Sequence, residues 1–165
     1  MARGETSVLR EGVIAGCLGA AVVAVWFLVF DLARGKPLLT PALLGAIVFY
    51  GANDPAALEI SVGPILGYTV LHGAAFVLFG IVASVLIAGA ERAPMFLFAV
   101  VILSTAFEVF FFGAVVIGAK WVLDDLAGWT IFVGNLLASA AMLAYFFTGH
   151  RALARRLIET FAEDD

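Results

Sequence analysis

Residues 12–30 read GVIAGCLGAAVVAVWFLVF, with no charged side chain between Glu11 and Asp31. A helix rises about 1.5 Å per residue, so this run approaches the roughly 30 Å thickness of a bilayer's hydrocarbon core. The rest of the chain has the same character. Of 165 residues, 64% are hydrophobic and 13% charged, and the mean hydropathy is +1.10. A soluble domain carries about 25% charged residues, and one of this size could not hide so much apolar surface from water. Lipid is therefore the expected solvent, and the expected fold class is an all-α integral membrane protein.

Three further stretches are long and apolar enough to cross. Ser61 to Ala90 ends at Glu91-Arg92-Ala93-Pro94, Pro94 to Ala119 is interrupted by Glu108, and Gly128 to Thr148 precedes Gly149-His150-Arg151. Residues 1–165 are thus expected to form one transmembrane domain. It is a four-transmembrane-helix bundle with spans at about 12–33, 61–90, 94–119 and 128–148. Between the first two spans, Pro41 to Gly51 (PALLGAIVFYG) is apolar but reaches only about 17 Å as a helix. Prolines 37, 41 and 55 and the cap candidates Asn53 and Asp54 punctuate it further. Residues 37–60 are accordingly expected to form an interfacial or re-entrant helix at the outer mouth of the bundle.

Lys and Arg near span ends favour the cytoplasmic side. With four spans, Arg3, Arg10, Arg92, Arg151, Arg155 and Arg156 share one side, against Arg34, Lys36 and Lys120 on the other. Both termini are then cytoplasmic, in the cell (inner) membrane. A five-span arrangement balances the charges equally well, and only the shortness of residues 37–60 argues against it. The tail 151–161 sets Leu153, Leu157, Ile158 and Phe161 on one helical face, as in an amphipathic helix at the headgroups. Arg151, Arg155 and Arg156 lie elsewhere on that helix, as the candidate cytoplasmic tail contact. Ile14-Ala15-Gly16-Cys17 imitates a lipoprotein cleavage box, but too little apolar chain precedes it and too much follows. The segment is expected to be a retained span.

Spans associate in lipid through close packing at small residues. Gly12, Gly16 and Ala20 with Gly19, Gly63-Gly67, Gly80-Ser84, and Ala138, Ser139 and Ala141 offer such surfaces. Ionisable groups at bilayer depth are costly and stand out for that reason. From helical rise, His72 and Glu108 each lie roughly 16 Å below the outer surface on adjacent antiparallel spans. A His72–Glu108 contact is geometrically easy, and an intramembrane polar cluster of these two with Tyr68, Thr105 and Asn135 is expected. Asp31 closes the first span as an acidic group at the same outer end.

This cluster has a structural reading as interhelical glue and functional readings as a proton- or ion-handling site or a ligand contact. His72 and His150 lie at different depths and cannot jointly ligate a haem. One histidine and one glutamate are too few for a closed zinc site. Ser84 and Ser139 lack a nearby base, and the Asp124-Asp125 pair reads as solvated. No phosphate-cradling glycine loop is present, and no basic patch with interleaved aromatics points to nucleic acid. No cofactor is specified. The partners expected are the lipid bilayer and other membrane subunits, or further copies of the chain. The function expected is that of a structural or accessory subunit of a larger bacterial membrane complex of respiratory or photosynthetic type. The alternatives are an oligomeric proton- or ion-coupled transporter component and a membrane enzyme acting on a lipid or quinone.

Overall fold

The computed structural model describes residues 2–53, 60–90, 93, 98–99, 101–106, 108–109, 113, 128–151 and 155, and for residues 2–6 the backbone only. Four helices are fully defined: α1 (Ala2–Ala33), α2 (Leu39–Tyr50), α3 (Val62–Ala90) and α4 (Gly128–Gly149). No strand occurs among the described residues. Three of the helices are long and apolar enough to cross a membrane: α1 over Ser7–Ala33, α3 over Val62–Ala90 and α4 over Gly128–Gly149. They coincide with three of the four expected spans, α1 alone beginning well upstream of its expected start. The expected span at 94–119 falls mostly outside the described residues, although residues 98–99, 101–106, 108–109 and 113 within it are helical. In the expected tail helix 151–161, Arg151 and Arg155 are helical and exposed, and the remainder, Arg156 included, lies outside the described residues.

Helix α1 is the hub. It packs along both α3 and α4, which touch each other only marginally. Its seam with α3 is built from glycine. A Cβ on Gly12 would lie 2.5 Å from the Ile81 Cα, one on Gly16 would lie 2.5 Å from the Val77 Cα, and one on Gly80 would strike Gly12 and Gly16 backbone. Hydrogen in place of a side chain lets the two backbones approach this closely, which substitutes for a hydrophobic force that lipid does not supply. The pairings Gly12 with Gly80 and Gly16 with Phe76 make α3 antiparallel to α1. Helix α4 is antiparallel to α1 as well. Gly149 lies beside Glu11, Met142 beside Gly19 and Gly134 beside Trp26, and the Phe30 and Trp129 rings meet at 5.5 Å. Ala15, Val23, Phe76, Ala83, Ile87, Ala138, Met142 and Phe146 form the core where the three helices converge.

The chain reverses after α1 through a glycine-dependent stop. Gly35 has φ +68°, with Gly35 N–H donating to Leu32 O and Lys36 N–H to Asp31 O. That pair of bonds is the Schellman arrangement, and a left-handed glycine permits it without a Cβ penalty. Helix α2 also ends at a left-handed glycine, Gly51 with φ 64°, but with Gly51 N–H donating to Ile47 O and Ala52 N–H to Ala46 O. It packs chiefly on α3, where a Cβ on Gly45 would collide with Pro64 backbone. Gly63 and Gly67, which the spacing offers as a span–span surface, instead accommodate the Tyr50 hydroxyl and the Phe49 ring of α2.

Candidate functional site

Polar groups cluster at two levels of the bundle, and the first is the junction of α1, α2 and α3. Asp31 is completely buried and Thr40 nearly so. The Thr40 backbone N–H donates to Asp31 Oδ2 at 2.7 Å, and the Thr40 hydroxyl donates to Asp31 Oδ1 at 2.7 Å. Leu38, at the N-cap of α2, has φ 64° and makes no side-chain cap bond. The carboxylate of α1 therefore caps α2 from outside that helix, answering one of the N–H groups that every helix start leaves open. The arrangement also sets the negative charge against the positive end of the α2 dipole, offsetting its unfavourable place at the C-terminus of α1.

Beside this cap lies a cleft of about 220 Å³. Val23, Phe27, Leu28 and Ile65 give it an apolar wall, and its polar lining comes from Tyr68, Thr69 and His72 with the buried Asp31–Thr40 pair behind; the Thr69 hydroxyl donates to the Ile65 carbonyl. The Tyr68 and His72 rings stack at 5.8 Å with an interplanar angle of 25°, and His72 leans on Phe76 at 4.8 Å. His72 Nε2 lies 3.3 Å from the Ala20 carbonyl oxygen. A carbonyl only accepts, so Nε2 is the donor in this contact, and in the neutral ring Nδ1 is then the lone-pair nitrogen.

The second level lies where α3 and α4 meet the helical residues around Ser104 and Glu108. Asn135 Nδ2 donates to Glu108 Oε2 at 3.1 Å. The two residues share a void of about 10 Å³ with Phe76, Phe79, Ser104, Ser139 and Met142, a space about the size of one water.

The expected cluster is thus divided. The His72–Glu108 pair is not formed, because His72 bonds to α1 and Glu108 bonds to Asn135. Helical rise fixed their depth but not their direction about the helix axis. His72 is one turn from Phe76 on the face of α3 that meets α1, whereas Glu108 shares its void with Phe76 and Phe79. Thr105 does not join either group: it is exposed and its hydroxyl donates to the Val101 carbonyl of its own helix at 2.9 Å. Tyr68 meets His72 rather than Asn135.

Three polar contacts carried no sequence signal strong enough to single them out. Ser84 Oγ donates to the Val8 carbonyl at 2.9 Å, Trp26 Nε1 donates to the Thr130 carbonyl at 2.8 Å, and His150 Nε2 lies 3.3 Å from Glu11 Oε2. The last ties the N-terminal part of α1 to the end of α4 at one end of the bundle. Asp31 is readable from sequence as an acidic span end, but nothing in its spacing marks it as the cap of a helix whose own N-cap is Leu38. Among the described residues, no group of three or more His, Cys, Asp or Glu side chains could hold a metal. No protein-family model matches the chain, and comparisons with curated proteins and with solved structures return no similar chain.

Proposed function

We propose that this chain is a four-span protein of the cell (inner) membrane with both termini cytoplasmic, serving as a structural or accessory subunit of a larger membrane complex. The span count is supported by connectivity. Helix α3 runs toward the N-terminal end of α1, since Ser84 in its second half bonds to Val8. Helix α4 begins at the opposite end, where Trp129 meets Phe30. Residues 91–127 must join these two ends, a distance that a fourth crossing covers. The Glu11–His150 contact places the beginning of α1 and the end of α4 together, as an even number of crossings requires.

The observation that carries the accessory role is the use made of the internal polar groups. Asp31 holds Thr40, Asn135 holds Glu108, His72 holds the α1 backbone and Ser84 holds Val8. Each links one segment to another, as expected of groups that fix helix register in a bilayer. A proton relay through His72 and Glu108 loses support, since the two bond to different helices. Outward, the spans present large apolar side chains such as Val25, Val29, Val70, Leu78 and Phe132, all more than half exposed. Such faces suit contact with lipid or with neighbouring subunits. Mild-detergent extraction followed by native mass spectrometry of the intact chain is the test. A stoichiometric membrane partner is the expected result. A chain that runs alone at all detergent concentrations refutes the role, and proton flux in liposomes that is lost in Glu108→Gln would reinstate the transporter.

A further inference from the structure

The cleft between α1, α2 and α3 has a chemistry that interhelical glue does not use. Its volume of about 220 Å³ exceeds the roughly 150 Å³ that admits a benzene ring and falls short of the roughly 300 Å³ at which drug-sized sites begin. It is therefore sized for one ring with a short substituent, or for a headgroup whose tail continues into lipid. The wall that Val23, Phe27, Leu28 and Ile65 build is apolar, so the body of the occupant is apolar as well.

Two polar positions on adjacent turns of α3 define the rest. The Tyr68 hydroxyl makes no hydrogen bond to any described residue, and its ring is committed to the stack with His72. His72, with Nε2–H directed to the Ala20 carbonyl, keeps Nδ1 as an acceptor with no partner among the described residues. A phenolic O–H that can donate or accept, beside an imidazole nitrogen that can only accept, is complementary to a hydroxyl. A hydroxyl donates to Nδ1 and accepts from Tyr68, whereas a ketone or ether satisfies only the tyrosine. Lying flat against the paired rings also suits an aromatic occupant better than a saturated one.

We infer that this cleft binds a lipid-soluble hydroxylated ring of the phenol or quinol class, its hydroxyl at Tyr68 and His72 and its apolar body along α1. The inference does not rest on the accessory role proposed above, being argued from residues of this chain alone.

The test uses the full chain in detergent, titrated calorimetrically with 4-butylphenol and with butylbenzene, which differs only by the hydroxyl. The phenol binds with one-to-one stoichiometry and more tightly than butylbenzene. Tyr68→Phe weakens the phenol roughly three- to tenfold, the net value of one hydrogen bond, and leaves butylbenzene unchanged. Ala24→Phe, which places a ring in the cleft from an exposed position on α1, abolishes phenol binding while the far-UV circular dichroism melt stays that of the wild type. If that variant melts early, Val25→Trp blocks the same cleft from another exposed position. Equal binding of the two probes overturns the inference, as does phenol uptake that survives a folded blocking variant, since both indicate partition into apolar surroundings only.

Discussion

Removing the Asp31 carboxylate tests the cap on which the α1–α2 junction rests. Asp31 is 0% exposed and Thr40 2%, so neither group can exchange its partner for water. In Asp31→Ala, the two Thr40 donors that now bond at 2.7 Å lose their acceptor. Hydrogen bonds to a charged group contribute about 1.5–3 kcal/mol each, and a buried donor left open costs about 1–3 kcal/mol. Bonds inside membranes measure lower, about 0.6 kcal/mol on average, because the unfolded chain in lipid also finds partners. Between these limits, about 2–4 kcal/mol is expected for Asp31→Ala. Thr40→Val removes the hydroxyl and keeps the backbone bond, so about 1–2 kcal/mol is expected. Asp31→Asn should fall between wild type and Asp31→Ala, since its carboxamide offers one oxygen to two donors.

The double variant completes a cycle in which the shared hydroxyl bond appears as a coupling of about 1 kcal/mol. Reversible unfolding in mixed micelles, titrated with a denaturing detergent, supplies the free energies. Hydrogen exchange at the Thr40 amide localises them to the start of α2. Asp31→Ala within about 0.5 kcal/mol of wild type, the range of an inconsequential surface change, refutes the capping role. So does unchanged protection of the Thr40 amide.

The α1–α3 seam gives a sharp contrast between two glycines. Gly16→Ala should destabilise the bundle by about 3 kcal/mol in the same titration, the upper range for overpacking, because the new Cβ would lie 2.5 Å from the Val77 Cα where ordinary contact begins at 3.4 Å. Gly73→Ala, with nothing within 4 Å of its Cβ, should be stabilising by about 0.4–1 kcal/mol. At the second polar level, Asn135→Leu should cost about 1 kcal/mol, and in the Glu108→Gln background it should cost less, which a double-mutant cycle reads directly. Side placement follows from single cysteines in a Cys17→Ser chain. A membrane-impermeant maleimide applied to intact cells should label Lys36→Cys and leave His150→Cys unlabelled until the membrane is opened, and the reverse pattern rejects cytoplasmic termini.

Apolar run length was enough to read helices α3 and α4 nearly to the residue, because in lipid a backbone must bond within its own segment and a helix is what an apolar run becomes. The start of α1 was less legible. The helix continues through Arg3, Glu5 and Arg10 to Ala2, where hydropathy marks no span but helix propensity persists. Small-residue spacing correctly marked Gly12, Gly16 and Gly80, yet it could not tell that Gly63 and Gly67 face α2 instead of a span. The polar cluster was hardest. Depth along a helix follows from counting residues, but orientation about the axis depends on which neighbour each face meets. That is why His72 and Glu108 share an estimated depth and no bond. Asp31 was visible as an acidic span end. Its role as a cap depended on a turn geometry, with Gly35 and Leu38 both at positive φ, that composition does not encode.

The glycine seam also sets a schedule for assembly. Gly16 is synthesised about 60 residues before its partner Phe76, and at roughly 5–20 residues per second the ribosome needs some 3–12 s to deliver it. Through that interval α1 is a lone span with an open glycine face, and the next helix made, α2, contacts it only sparsely. A face of this kind pairs readily with another like it. The order of synthesis thus sets a race between closure on α3 within one chain and pairing of α1 with a second nascent copy. Slower elongation between residues 34 and 80 is therefore expected to lengthen the time for which the Gly16 face stays open before α3 closes on it.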